Sequence, residues 1–87
     1  MKIKEGYLLR EVAGQFLVVP VGNQAISFNG IITLNKTGKV IWEVLQKDTS
    51  KATILETLLD RFDVTPEQAS QDIDMFLSTL QKHQLLE

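Results

Sequence analysis

The sequence predicts an α+β fold of the winged helix-turn-helix kind, a three-stranded antiparallel sheet followed by three helices. Three observations carry this. Two runs rich in strand-forming residues, Tyr7 to Val12 and Gln15 to Val21, flank a two-residue Ala13-Gly14 turn. A short β-branched run, Ile31-Ile32-Thr33, leads through Leu34 to Asn35, and an amphipathic helix starts there. Beyond Lys36 the apolar residues recur at helical spacing. Sheet and helices each have one apolar side, so they should pack as two layers.

The first two strands form a hairpin. Phe16 to Val19 is continuously apolar, so alternation does not say which side faces inward. Pro20 lacks an N–H and suits a strand end or an edge, and Gly22-Asn23 breaks the chain. Residues 24–30 read two ways. Asn29-Gly30 is a hairpin signal, whereas Ala25-Ile26-Ser27-Phe28 could form a loose turn whose Phe28 plugs the core, the slightly favoured reading.

The joint after the third strand is the most informative stretch. Asn35 can cap a helix from about Lys36 to Gln46, whose Val40, Ile41, Val44 and Leu45 share one face. Gly38 weakens that helix and suggests a close backbone approach. Trp42 reads as partly buried packing. The joint holds no catalytic side chain, which points to binding through the backbone.

Asp48-Thr49-Ser50 offers caps for a second helix with the stripe Ile54, Leu55, Leu58, Leu59 and Phe62. Thr65 as N-cap, Pro66 at the first helical position and Gln68 as capping-box partner mark the third helix. It carries Ala69, Ile73, Phe76, Leu77 and Leu80 to about His83, after which Leu85-Leu86 should fold back.

Composition narrows the function. A chain of 87 residues is read as one domain over 1–87 that can spare little surface from its core. Without cysteine there is no disulfide, thiolate nucleophile or cysteine-held zinc. No Ser–His–Asp spacing, Gly-rich phosphate loop or metal-ligand cluster appears, so the reading is not an enzyme and takes no cofactor or metal. No signal peptide or membrane-spanning run is visible, and the expected location is cytoplasmic.

Residues 1–47 carry six basic and three acidic groups, and residues 48–87 carry three and eight. An acidic helical half opposes a phosphate backbone, which disfavours a winged-helix nucleic-acid regulator, the main alternative. A structural or oligomerisation module is a further alternative, because an open sheet edge can pair with a second copy to give a homodimer.

The pattern Leu34-Asn35-x-Thr37-Gly38-x-x-Ile41-Trp42-x-x-Leu45, the stripe Ile54, Leu58-Leu59 and Phe62, and Asp72-Ile73, Phe76-Leu77, Leu80 and Leu85-Leu86 together resemble the coenzyme PQQ synthesis protein D family. These are the RiPP recognition elements, small winged-helix domains that serve the modification of ribosomally made peptides. Many relatives have Gly before the final Leu-Leu, where this chain has Gln84.

The resemblance implies a peptide-binding adaptor. It would take the leader segment of a precursor peptide as an added strand, between the third strand and the third helix. It would then present that leader to a maturation enzyme, often a radical-SAM enzyme. Ile31, Ile32 and Thr33 would supply the edge, and Phe76, Thr79, Leu80 and His83 one wall of the groove. Read from the residues alone, Phe76 and Leu80 are most simply core and His83 is most simply solvated. Periodicity leaves open whether the Thr79/His83 flank or the Asp74/Gln81 flank faces the groove. Glu67, Asp72 and Asp74 read as a solvated face that could also attract basic residues of a leader.

Overall fold

The computed structural model describes residues 1–22 and 32–87. It contains strands β1 (Tyr7–Val12), β2 (Gln15–Pro20) and β3 (Ile32–Leu34), then helices α1 (Lys36–Val44), α2 (Lys51–Arg61) and α3 (Pro66–Lys82). The strands form one antiparallel sheet in the order β1-β2-β3. The two readings of residues 24–30, Phe28 as plug among them, fall outside the described residues, as does Ile31.

The first turn decides the hydrogen-bond phase of the whole sheet. Ala13 and Gly14 both adopt positive φ, 52° and 79°, as a two-residue hairpin loop of the primed type demands. The flanking pair Val12 and Gln15 then exchange backbone hydrogen bonds, and every second residue of β2 repeats this toward β1. The N–H of Val21 donating to the C=O of Gly6 at 2.8 Å keeps the same phase at the far end.

Phe16 and Val18 therefore turn their polar groups toward β3, where they face Leu34 and Ile32. Thr33, opposite Leu17, turns its own N–H and C=O outward. Within the described sheet β3 is an edge strand, and Thr33 offers the outward donor and acceptor.

The same alternation sorts the side chains. Tyr7, Val18 and Leu34 are buried on the inner face with half-buried Leu9, Phe16 and Ile32, whereas Thr33 stands exposed on the outer face. Lys39 reaches back from α1 to place Nζ 5.1 Å from the centre of the Phe16 ring. The helices complete the core with Ile41 and Trp42 from α1 and Leu45 at its cap, Ile54 and Leu58 from α2, and Ala69, Ile73 and Leu80 from α3.

Each helix start is capped by the residue type that suits it. The Gly38 N–H donates to Asn35 Oδ1 at 2.7 Å, the Thr53 N–H to Ser50 Oγ at 3.3 Å, and the Gln68 N–H to Thr65 Oγ1 at 3.2 Å. Four details depart from expectation. The Gln68 side chain does not return to Thr65 to close a capping box; its Nε2 donates to Asp72 Oδ1 at 2.9 Å. The second strand stops at Pro20, and α1 stops at Val44 with Leu45 as its cap. Leu59 is 38% exposed rather than part of the buried stripe, because α2 buries a narrow face through Ile54 and Leu58.

The two chain ends hold each other. Ile3 and Leu86 form an antiparallel bridge, and Lys4 N–H donates to Leu85 C=O at 2.8 Å. At Met1 the N-terminal ammonium donates to Asp48 Oδ1 at 2.7 Å, and this hydrogen bond holds the exposed Asp48 carboxyl below its ordinary pKa.

The end of α3 is a Schellman turn. Leu85 N–H donates to Leu80 C=O at 2.9 Å and Gln84 N–H to Gln81 C=O at 3.0 Å, with Leu80 and Leu85 both buried. This motif needs a left-handed residue after the cap, and Gln84 supplies it at φ 61°. Gln84 thus adopts a conformation that glycine takes most readily.

Two stability predictions follow from these termini. Replacing Asn35 with Ala should cost about 1 kcal/mol in a denaturant titration, and the melting temperature should fall by about 4–8 °C. Replacing Gln84 with Gly relieves the left-handed strain and should raise stability by up to about 1 kcal/mol in the same titration.

Candidate functional site

The outward edge of β3 does not face open solvent on its inner side. A groove of about 250 Å³ lies beside it, bounded by β3, the first turns of α1 and one side of α3. Ile32, Thr33 and Leu34 form the strand side, and Asn35, Thr37, Gly38 and Ile41 form the end and floor. From α3 come Asp72, Met75, Phe76 and Thr79, spaced i, i+3, i+4 and i+7 and so sharing one helical face.

Gly38 sets how deep this groove runs. A β-carbon there would sit 3.2 Å from Asn35 Oδ1, 3.4 Å from Phe76 Cε1 and 3.5 Å from Leu34 Cβ. The missing side chain lets the start of α1 abut the strand end and the Phe76 ring without filling the groove. The close approach inferred from sequence is real, and its neighbours are Asn35, Phe76 and Leu34.

Helical geometry explains which α3 residues reach the groove. At about 100° per residue, Ala69, Ile73 and Leu80 fall within about 60° of Phe76 on one side. Asp72, Thr79 and Met75 fall within about 100° on the other. The first set is buried and the second lines the groove, so Phe76 is half-buried on the border between core and opening. The Asp74 flank turns elsewhere, and Asp74 Oδ1 accepts from Lys51 Nζ of α2 at 2.8 Å.

Of the residues singled out from sequence, Ile32, Thr33, Phe76 and Thr79 come together around the groove. Ile31 lies outside the described residues. Leu80 is 0% exposed and belongs to the core cluster, on the same side of α3 as buried Ala69 and Ile73. His83 is the exposed cap of α3, one turn beyond the groove, and does not line it. Sequence reasoning did not place Leu34, Asn35, Thr37, Gly38, Ile41, Asp72 or Met75 in the groove. Asp72, Met75 and Thr79 are one stripe, and an i, i+3, i+7 search on the polar side of Phe76 would have found the first two.

The chemistry on offer is simple. Among the described residues Asp72 is the only charged one in the lining. The Thr79 hydroxyl donates within the helix to Met75 C=O at 3.0 Å. Met75, 71% exposed, forms a soft apolar rim. Among the described residues no three His, Cys, Asp or Glu side chains gather as metal ligands. Among the described residues the lining presents no paired acid and base.

Comparison with known proteins agrees with this architecture. No curated protein matches the chain by sequence. Among solved structures, TbiB1 in complex with the TbiA(beta) leader peptide superposes with a TM-score of 0.76 at 20% identity, covering 100% of this chain and 95% of that one. Lasso peptide synthetase B1 complexed with the leader peptide gives a TM-score of 0.72 at 17% identity, over 93% of this chain and 89% of that one. At these identities the likeness speaks for the fold. The family model of coenzyme PQQ synthesis protein D matches residues 8–86. The chain belongs to the coenzyme PQQ synthesis protein D family.

Proposed function

We propose that this chain captures the leader segment of a ribosomally made precursor peptide as an added strand on β3 and presents it to a modifying enzyme. The observation that carries this reading is the outward N–H and C=O of Thr33 beside an apolar groove of about 250 Å³. Strand addition needs those two features together: an edge for the backbone and pockets for alternate side chains. Family membership and two structural neighbours that were themselves solved with leader peptides support it. A radical-SAM maturase is the partner enzyme the family relation suggests.

Magnitudes say which part of the groove matters most. Two backbone hydrogen bonds at Thr33 contribute about 0.5–1.5 kcal/mol each, and micromolar binding needs about 8 kcal/mol. The larger share must come from burying visiting side chains against Phe76, Ile41 and Leu34, at about 1.5–3 kcal/mol each. The backbone sets register and direction; the groove supplies affinity. A volume of about 250 Å³ also falls below the roughly 300–1,000 Å³ of small-molecule sites.

A nucleic-acid reader fits less well. Lys82 is the one basic residue of α3, against Glu67, Asp72 and Asp74. A second copy pairing along the same edge would make a homodimer, and sedimentation at several concentrations distinguishes that outcome.

The test is titration with the N-terminal half of a small open reading frame encoded beside this one, on the wild type and two proline variants. Thr33→Pro removes the outward N–H and sets a ring against the incoming chain. It should leave the fold intact and weaken binding at least about tenfold. Ile32→Pro removes a donor that faces β2 and should damage folding itself. Undiminished binding by a folded Thr33→Pro variant, or no binding to such peptides at all, contradicts the proposal.

A further inference from the structure

We infer that Asp72 is a specificity-determining residue, selecting a leader strand that carries a lysine or arginine two positions from an apolar anchor. The inference rests on the strand-addition reading above and goes further by specifying the occupant's chemistry.

Three carboxylates lie on the first half of α3, and the structure separates their roles. Asp74 is engaged by Lys51, and Glu67 is exposed in the first turn, where it favours the helix dipole. Asp72 alone turns into the groove. It is already half-buried, and its Oδ1 accepts the Gln68 amide. Among the described residues its Oδ2 meets no donor.

A strand laid beside β3 removes more water from that carboxylate. Desolvating a charge without a partner is costly, so an apolar residue beside Asp72 is penalised and an acidic one is repelled. A lysine or arginine supplies both the compensating charge and the donor, and its alkyl stem can lie along Met75. Discrimination thus comes from rejecting the wrong residue as much as from holding the right one.

The spacing follows from two geometries. Side chains on one face of a strand repeat every two residues, about 6.6 Å. Asp72 and Phe76 are four residues apart on α3, about 6 Å along the helix. An added strand that runs along α3 would set an apolar residue against Phe76 and a basic residue two positions away at Asp72.

The probe is a phage-displayed library of random dodecapeptides, selected in parallel on the whole wild-type chain, Asp72→Asn and Thr33→Pro. Asp72→Asn keeps an Oδ1 acceptor for Gln68 and should fold. Expected is enrichment of Lys or Arg two positions from an apolar residue on the wild type, lost on Asp72→Asn. In a synthetic winner, exchanging the basic residue for norleucine should weaken wild-type binding about tenfold and leave Asp72→Asn binding unchanged. Apolar binders that need Thr33 but show no basic enrichment overturn the Asp72 inference and leave the strand-addition reading standing. The same applies to basic enrichment that survives Asp72→Asn. Absence of any binder sensitive to Thr33→Pro overturns both.

Discussion

Backbone hydrogen bonding in an antiparallel sheet alternates strictly, and here that alternation is phased by a turn far from the groove. Ala13 and Gly14 take positive φ, which makes Val12 and Gln15 a bonded pair and commits Phe16 and Val18 to β3. Thr33 is left facing outward as a consequence. The edge that a visiting chain could use is therefore a property of the whole hairpin, transmitted through two registers.

The groove depends on a second constraint, the abrupt passage from β3 into α1. Asn35 caps the helix at Gly38, and Gly38 has no side chain to fill the space before Phe76. Phe76 in turn divides α3 into a side that packs and a side that stays open. Edge and groove meet at Leu34, buried and paired with Phe16 in the sheet and part of the groove lining. Leaving apolar surface open beside an edge strand is a cost to stability.

Features governed by neighbours in sequence were legible without coordinates. The three helix caps at Asn35, Ser50 and Thr65, the Ala13-Gly14 turn and the element order all rest on local chemistry. Features governed by tertiary packing were not. Phe76, Thr79 and Leu80 lie within about 100° of one another, and periodicity cannot divide so narrow an arc between core and groove. Tertiary packing makes that division, burying Leu80 and leaving Thr79 exposed. In sequence Asp72 is one carboxylate among several; the ion pair of Lys51 with Asp74 sets it apart. The positive φ of Gln84 gives the physical meaning of its position before Leu85-Leu86.

Amide hydrogen exchange at three successive residues tests the central claim most directly. In the free protein Ile32 and Leu34 should exchange slowly and Thr33 quickly, since the first two point toward β2. On adding a leader peptide, Thr33 should become protected while its neighbours change little. Slow exchange at Thr33 before any peptide is added, or exchange that a bound peptide leaves unaltered, would contradict the account.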